Sequence, residues 1–323
     1  MIAISSNVES KMTESIEKQI TVSVPASTAN LGPGFDTLGL ALSLYSRIKF
    51  MLLKSNDSGV PLISFGNDNS RALSADSSNL AYRILKELWT DSTETLSRVR
   101  LEITTDIPLG RGLGSSSTAI LAAACATHAL NNRATDKSNL LIESCRYEGH
   151  ADNLSASLFG GMTVSSTHAR SGKVVFQKLD WPHEWKTTVI VPTYELSTTK
   201  ARAVMPKSIP MADAVANVQN TAMLVAAIAC NDERLAREAM IDTLHEPYRL
   251  SLVPELGSIR RHLRNEPIIG SVLSGAGSSV MLIYHRRYER DIAESLKSWQ
   301  SAQSNQPAIL NLEVDHDGLK TFI

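Results

Sequence analysis

Pro108-Leu-Gly-Arg-Gly-Leu-Gly-Ser-Ser-Ser-Thr-Ala119 decides how this 323-residue chain is read. Gly110, Gly112 and Gly114 alternate with larger residues and let the backbone turn with its N–H groups pointing inward. Ser115, Ser116 and Ser117 follow, and the Ala-rich run after them predicts a helix over 116–130. A helix N-terminus leaves its first amides unpaired and carries the positive end of the helix dipole, so it can hold an anion without a lysine. Two familiar phosphate loops do not fit. Gly114 precedes Ser115 and not the Lys of a Walker A loop, and Ser115 stands where a dinucleotide-binding loop has its third glycine. A capped helix with Gly for tight packing is the plain alternative, but three consecutive hydroxyls at the helix start favour phosphate.

Working outward, apolar alternation predicts strands at 20–24, 44–53, 99–103, around 161–164 and at 174–179. Helical patterns lie between them, at 79–89 with Leu80, Ile84, Leu85 and Leu88 on one face, and at 137–147 behind Asp136 as a cap. Trp181-Pro-His-Glu-Trp185 reads as a seam. Beyond it come strands at 187–191, 268–273 and 280–284, with helices at 211–229, 232–241, 254–264 and 288–299. Strands and helices mix without a strict βαβ rhythm, which predicts an α+β fold. The expected organisation is a flexible tail over 1–18, a first domain over 19–182 and a second over 183–323.

Composition narrows the partners. With 32 Lys+Arg against 33 Asp+Glu and a net charge of -1, nothing global attracts nucleic acid or an anionic membrane, so any anion site is local. Cys125, Cys145 and Cys230 are odd in number and far apart, and are expected to be buried small hydrophobes. The longest apolar stretches, 118–130 and 221–230, fall short of the ~20 residues of a membrane span. The N-terminal segment is polar and lacks the apolar run of a signal peptide, so a soluble cytoplasmic protein is expected.

The pattern P-x-x-x-G-L-G-S-S-S, here 108–117, resembles the phosphate loop of the GHMP kinases, the family of galactose, homoserine, mevalonate and phosphomevalonate kinases. Three further segments resemble its homoserine kinase branch: Pro25-Ala-Ser-Thr-Ala-Asn-Leu-Gly-Pro-Gly-Phe-Asp36, Glu148-Gly-His-Ala-Asp-Asn153 with Gly160-Gly161, and Gly270-Ser-Val-Leu-Ser-Gly-Ala-Gly277. The likeness runs from about 22 to about 284 in the family's order. It implies a two-domain GHMP kinase fold, with a ribosomal-protein-S5-domain-2-like N-terminal domain, a ferredoxin-like C-terminal domain and the site between them. It also implies ATP and Mg²⁺, and transfer of phosphate to the hydroxyl of L-homoserine in threonine biosynthesis.

The resemblance assigns roles residue by residue. Pro108, Gly110, Arg111, Gly112, Leu113, Gly114, Ser115, Ser116 and Ser117 would hold the triphosphate, and Asn79 the adenine, although a simple N-cap explains Asn79 equally well. Ser116 and Glu148 would bind the metal, as hard oxygen donors suit Mg²⁺. Asn30, Asp36, Asn153, Thr198, Arg202 and Arg249 would hold the amino acid, the two guanidiniums suiting its carboxylate. Asp36, with Ser116 and Glu148, is the catalytic set, and Asp36 reads as an anchor in preference to a base. His150 reads as a loop residue. A Val at Gly112 is expected to block nucleotide binding, with the fold retained if the glycine serves the ligand more than the core. Two stretches depart from the family's pattern: Leu154-Ser-Ala-Ser157 follows Asp-Asn, where a Pro shortly after is usual, and Ser278 follows Gly277, where Pro is common. The rivals are another small-alcohol kinase of the family and a non-catalytic ligand sensor of the same fold. A homodimer is a family expectation.

Overall fold

A computed structural model describes residues 15–56, 60–134, 136–168 and 170–323, so most of the expected N-terminal tail lies outside the described residues. The strands are β1 (Ile16–Asn30), β2 (Gly34–Leu53), β3 (Ile63–Phe65), β4 (Val99–Thr105), β5 (Met162–Thr167), β6 (Val174–Leu179), β7 (Trp185–Val191), β8 (Ile268–Leu273), β9 (Val280–His285), β10 (Ala308–Leu312) and β11 (Lys320–Phe322). The helices are α1 (Leu80–Leu88), α2 (Thr93–Ser97), α3 (Ser115–Leu130), α4 (Lys137–Glu148), α5 (Asp152–Phe159), α6 (Thr198–Ala203), α7 (Met211–Cys230), α8 (Glu233–Ala239), α9 (Glu246–Arg249), α10 (Pro254–His262) and α11 (Glu289–Ser301).

β1 and β2 form a long antiparallel pair that organises the first sheet, ordered β11-β1-β2-β4-β3 with β5 on β2 and β6 on β5. Besides β1, β2 serves two further neighbours, pairing β5 through Leu38–Leu40 and β4 through Ser46–Leu52. Against this sheet packs α3, whose residues Ile120 to Cys125 are buried without a break. A helix apolar on all sides belongs inside the protein, which is why the Ala-rich run lies in the core with its N-terminus at the surface of a cleft. The second sheet is antiparallel, ordered β10-β7-β9-β8. The α+β expectation holds.

One cluster of buried apolar residues joins the two halves, bringing together Leu38, Leu40 and Leu42 of β2 with Val189, Val272 and Met281 of the second sheet. The chain end also crosses back. Val314 bridges Leu42, and β11 pairs β1 from Thr21 to Ser23. Tyr45 donates to Asp315 Oδ2 at 2.8 Å and fixes this return. The last strand of the segment expected as a separate second domain is thus part of the first sheet. Of the cysteines, Cys125 and Cys145 are buried as expected, whereas Cys230, at the end of α7, is exposed.

Candidate active site

A cleft of ≈ 400 Å³ opens between the halves, lined by the glycine loop, the turn after β1, the α4–α5 junction, α6 and the 275–277 turn. Gly110, Gly112 and Gly114 have φ of +65°, +74° and +70°, conformations that side-chain-bearing residues avoid. Gly112 packs on backbone: a Cβ there would stand 2.1 Å from the Ser274 carbonyl oxygen. Gly114 caps α3, and the first intrahelical bond runs from Thr118 N–H to Gly114 O. The amides of 115–117 therefore have no acceptor within the helix and face the cleft end.

Glu148, the last residue of α4, lies against this N-terminus. Ser116 Oγ donates to its Oε1 at 2.8 Å and Ser117 Oγ to its Oε2 at 2.6 Å. Burial raises the Glu148 pKa, with the serine hydrogen bonds and His150 opposing. Ser116 lines the cleft, but Ser117 is fully buried beneath the loop and orients Glu148, so it is not a cleft-facing donor as the sequence reading had it. Pro108 also lies off the cleft lining. Arg111 lines it, but its guanidinium donates to Leu109 O, Pro192 O and Thr193 O, tying the loop to the second half. Asn79 caps α1, accepting from Ala81 N–H at 3.0 Å and donating to Ser74 O, and borders the cleft with its N-cap role in place.

The remaining predicted residues also border the cleft. Asn30 is 3% exposed, donates to Gly275 O at 2.9 Å and accepts from Asp36 N–H at 3.1 Å, closing the turn that presents Asp36. Asp36 Oδ1 accepts from Arg202 Nη2 at 2.8 Å, an ion pair joining residues 166 apart. Arg249 is 1% exposed, and among the described residues no carboxylate lies within ion-pair distance of it. Its Nε donates to Ala201 O and its Nη1 to Gly275 O. Thr198, the first residue of α6, is exposed at the cleft, and Asn153 Oδ1 accepts from Ser27 Oγ below the glycine loop. The structure thus brings together Asn30, Asp36, Asn79, the glycine loop, Glu148, Asn153, Thr198, Arg202 and Arg249.

Sequence reading passed over other residues here. His150 Nδ1 lies 2.7 Å from Asp152 Oδ1, and Asp152 is 1% exposed. Burial alone would lower the His150 pKa, but Asp152, Glu148 and Asp36 outweigh it and push it up to about 9. Ligand atoms of Asp36, His150 and Asp152 lie within 4.8 Å of one another, so His150 is an ion-paired cleft residue rather than a solvated loop position. No lysine lines the cleft among the described residues. Phe35 sits with its ring centroid 5.5 Å from Arg202 and 5.3 Å from Arg249. Its only sequence signal was its place beside Asp36.

Residues 79–161 match the family model described as GHMP kinases N terminal domain, and residues 223–302 the one described as GHMP kinases C terminal. The chain is 40% identical over 270 residues to the homoserine kinase of Deinococcus radiodurans, covering 84% of this chain and 86% of that protein. The chain belongs to the GHMP kinase family. Another member, the homoserine kinase of Prochlorococcus marinus, is 32% identical over 309 residues, 95% of this chain and 98% of that one. The crystal structure of homoserine kinase from Cytophaga hutchinsonii superposes with a TM-score of 0.79 at 27% identity, covering 95% of this chain and 98% of that one. In this GHMP kinase the glycine loop, the α3 N-terminus and Glu148 form one contiguous surface of the cleft.

Proposed function

We propose that this chain is a homoserine kinase, transferring the γ-phosphoryl group of ATP to the hydroxyl of L-homoserine and releasing O-phospho-L-homoserine and ADP. The observation that carries the reading is the Asp36–Arg202 ion pair beside Arg249, in the same cleft as the glycine loop. A substrate bearing both an ammonium and a carboxylate is matched there in both charges.

The free amides and hydroxyls at the start of α3 hold the triphosphate, and the cleft beside Asn79 takes the base. Ser116 and Glu148 are hard oxygen donors 2.8 Å apart, and a carboxylate that burial disfavours as an anion is suited to a cation, so these two would hold Mg²⁺. When bound, the ion neutralises charge on the phosphates. Arg202 and Arg249 hold the substrate carboxylate, and Asp36 its ammonium, with Asn153 and Thr198 completing the pocket. The hydroxyl oxygen bonds to the γ-phosphorus as the bond to the β–γ bridging oxygen breaks, and the hydroxyl proton passes late to a phosphate oxygen. Asp36, already engaged by Arg202, anchors and does not act as base. A cytoplasmic place in threonine biosynthesis accords with this, and no described helix is long and apolar enough to cross a membrane.

The test is a coupled ADP-release assay with homoserine, mevalonate and galactose offered separately. Release with homoserine alone supports the reading. Equal release with another alcohol moves the activity elsewhere in the family, and none with any of the three indicates a sensor.

A further inference from the structure

His245 immediately precedes α9, is fully buried, and lines neither the phosphate loop nor the cleft. It nevertheless touches both elements that carry the substrate-facing charges. Its Nε2 lies 2.9 Å from Gly32 O, in the turn that ends at Asp36. Its Nδ1 lies 3.2 Å from Nη1 of Arg249. A carbonyl can only accept and a guanidinium can only donate, so Nε2 carries the proton and Nδ1 is bare. We infer that His245 is a positioning residue, which as the neutral Nε2–H tautomer holds the Arg249 guanidinium in register with the Asp36 turn.

Further contacts fix the backbone that carries the ring and one of its faces. Asp242 Oδ2 accepts from the backbone N–H groups of His245 and Glu246, at 2.8 and 2.7 Å, and so sets the start of α9. Glu246 in turn accepts from Leu273 N–H and from Arg260 Nη2, anchoring α9 to β8 and α10. Phe35 stacks on the imidazole with centroids 5.1 Å apart and planes at 22°. The same Phe35 ring lies beside both arginines, so imidazole, phenyl and guanidiniums form one packed unit between the halves. Burial lowers the His245 pKa against the pull of Asp242 and Glu246, in keeping with the tautomer that its partners dictate. A second proton on Nδ1 would face the Arg249 donor with like charge.

The inference rests on the functional reading above, because it is Arg249 engaging the substrate carboxylate that gives the alignment a consequence. Two replacements separate the ring's contacts. His245→Asn keeps an acceptor near the Nδ1 position, and His245→Gln keeps a donor near the Nε2 position. With full-length protein, His245→Gln should raise KM for homoserine about tenfold with KM for ATP nearly unchanged, while His245→Asn should recover most of that loss. On an Arg249→Lys background His245→Gln should cost little more, because one interaction cannot be removed twice. Equal rises in both KM values, full additivity with Arg249→Lys, or failure of both variants to fold would each overturn the inference and leave His245 as a core residue. The wild-type control separates the two claims. If it turns over a different alcohol, the homoserine reading fails, and the variant-to-wild-type ratios measured on that alcohol still decide the role of His245.

Discussion

Gly112 was expected to serve a bound phosphate; its surroundings make it a packing residue as well. An alanine there must keep φ near +74°, which costs about 1–2 kcal/mol for an L-residue. Its Cβ would meet the Ser274 carbonyl oxygen at 2.1 Å, Gly277 O at 2.8 Å and Gly277 N at 3.0 Å. These are backbone atoms, so relief requires the 274–277 turn to withdraw. That turn is held by Ser274 Oγ at 2.7 Å from Gly112 O and by Gly275 N–H on Ala29 O at 3.1 Å. Losing two such bonds, at about 0.5–1.5 kcal/mol each, brings the cost to roughly 2–5 kcal/mol. At 2–4 °C per kcal/mol this lowers Tm by about 4–20 °C. Gly110→Ala is the control: its φ is +65°, but the nearest atoms to its Cβ are Cβ, Cγ and Cδ of the exposed Glu195 at 3.2–3.3 Å, contacts relieved by a shift of a few tenths of an ångström. Thermal unfolding of the ligand-free proteins should therefore show Gly112→Ala clearly below Gly110→Ala, and calorimetry well below both transitions should show Gly112→Ala also losing nucleotide affinity. Equal Tm values for the two variants would refute the claim that the 274–277 turn braces the phosphate loop.

Glu148→Gln should lower kcat about 100-fold, with partial recovery at high Mg²⁺, because it removes the anionic donor and keeps the shape; a turnover and Mg²⁺ dependence like the parent's would dismiss Glu148 as the ligand. Arg202→Lys should raise KM for homoserine roughly 10- to 100-fold at constant KM for ATP and little change in Tm, since it loses charge-assisted hydrogen bonds of ~1.5–3 kcal/mol on a half-exposed side chain. Arg249→Lys should show the same KM effect and a measurable fall in Tm, because that guanidinium also ties Ala201 O and Gly275 O; loss of ATP affinity in either variant argues that the arginines act on phosphate or fold. Stability should also fall as pH drops below about 6.5, because burial holds folded His245 below its ordinary 6.5 and the unfolded chain then binds the proton more readily. Denaturant titrations between pH 7.5 and 5 should show His245→Gln with a shallower decline than the parent, and parallel declines would contradict a neutral buried ring.

What the sequence made legible is what short segments carry. The glycine loop, its helix and Glu148 lie within 41 residues, and a helix start with free amides needs no distant partner to be read. Ser115, Ser116 and Ser117 are chemically identical in the string, and only the phase of α3 in the core puts Ser116 on the cleft and Ser117 under it. Arg111 looked like a phosphate ligand by position, yet its partners, Pro192 O and Thr193 O, are about eighty residues away and invisible to a local pattern. β11 has three exposed residues and no periodicity, so its return to β1 could not be seen. The exposed Cys230 shows the limit of composition: a small apolar residue at a helix end is covered only if another element lies over it.

The ion pair across the cleft bears on which alcohol the proposed kinase would accept. With no ligand, Asp36 and Arg202 neutralise one another and the buried Arg249 is left without a carboxylate partner. A zwitterionic amino acid can insert between them with no net change of charge, its ammonium replacing Arg202 at Asp36 and its carboxylate bridging the two guanidiniums. One ion pair becomes two, and the buried cation gains the partner that the protein alone does not supply. A carboxylate substrate without an ammonium would take Arg202 from Asp36 and forfeit that ion pair without supplying a replacement. A neutral sugar would leave the pair closed and Arg249 unmatched. Selectivity on this account comes from the ion pairs that the wrong substrate breaks or fails to form, beside a Phe35 ring that lies against both guanidiniums.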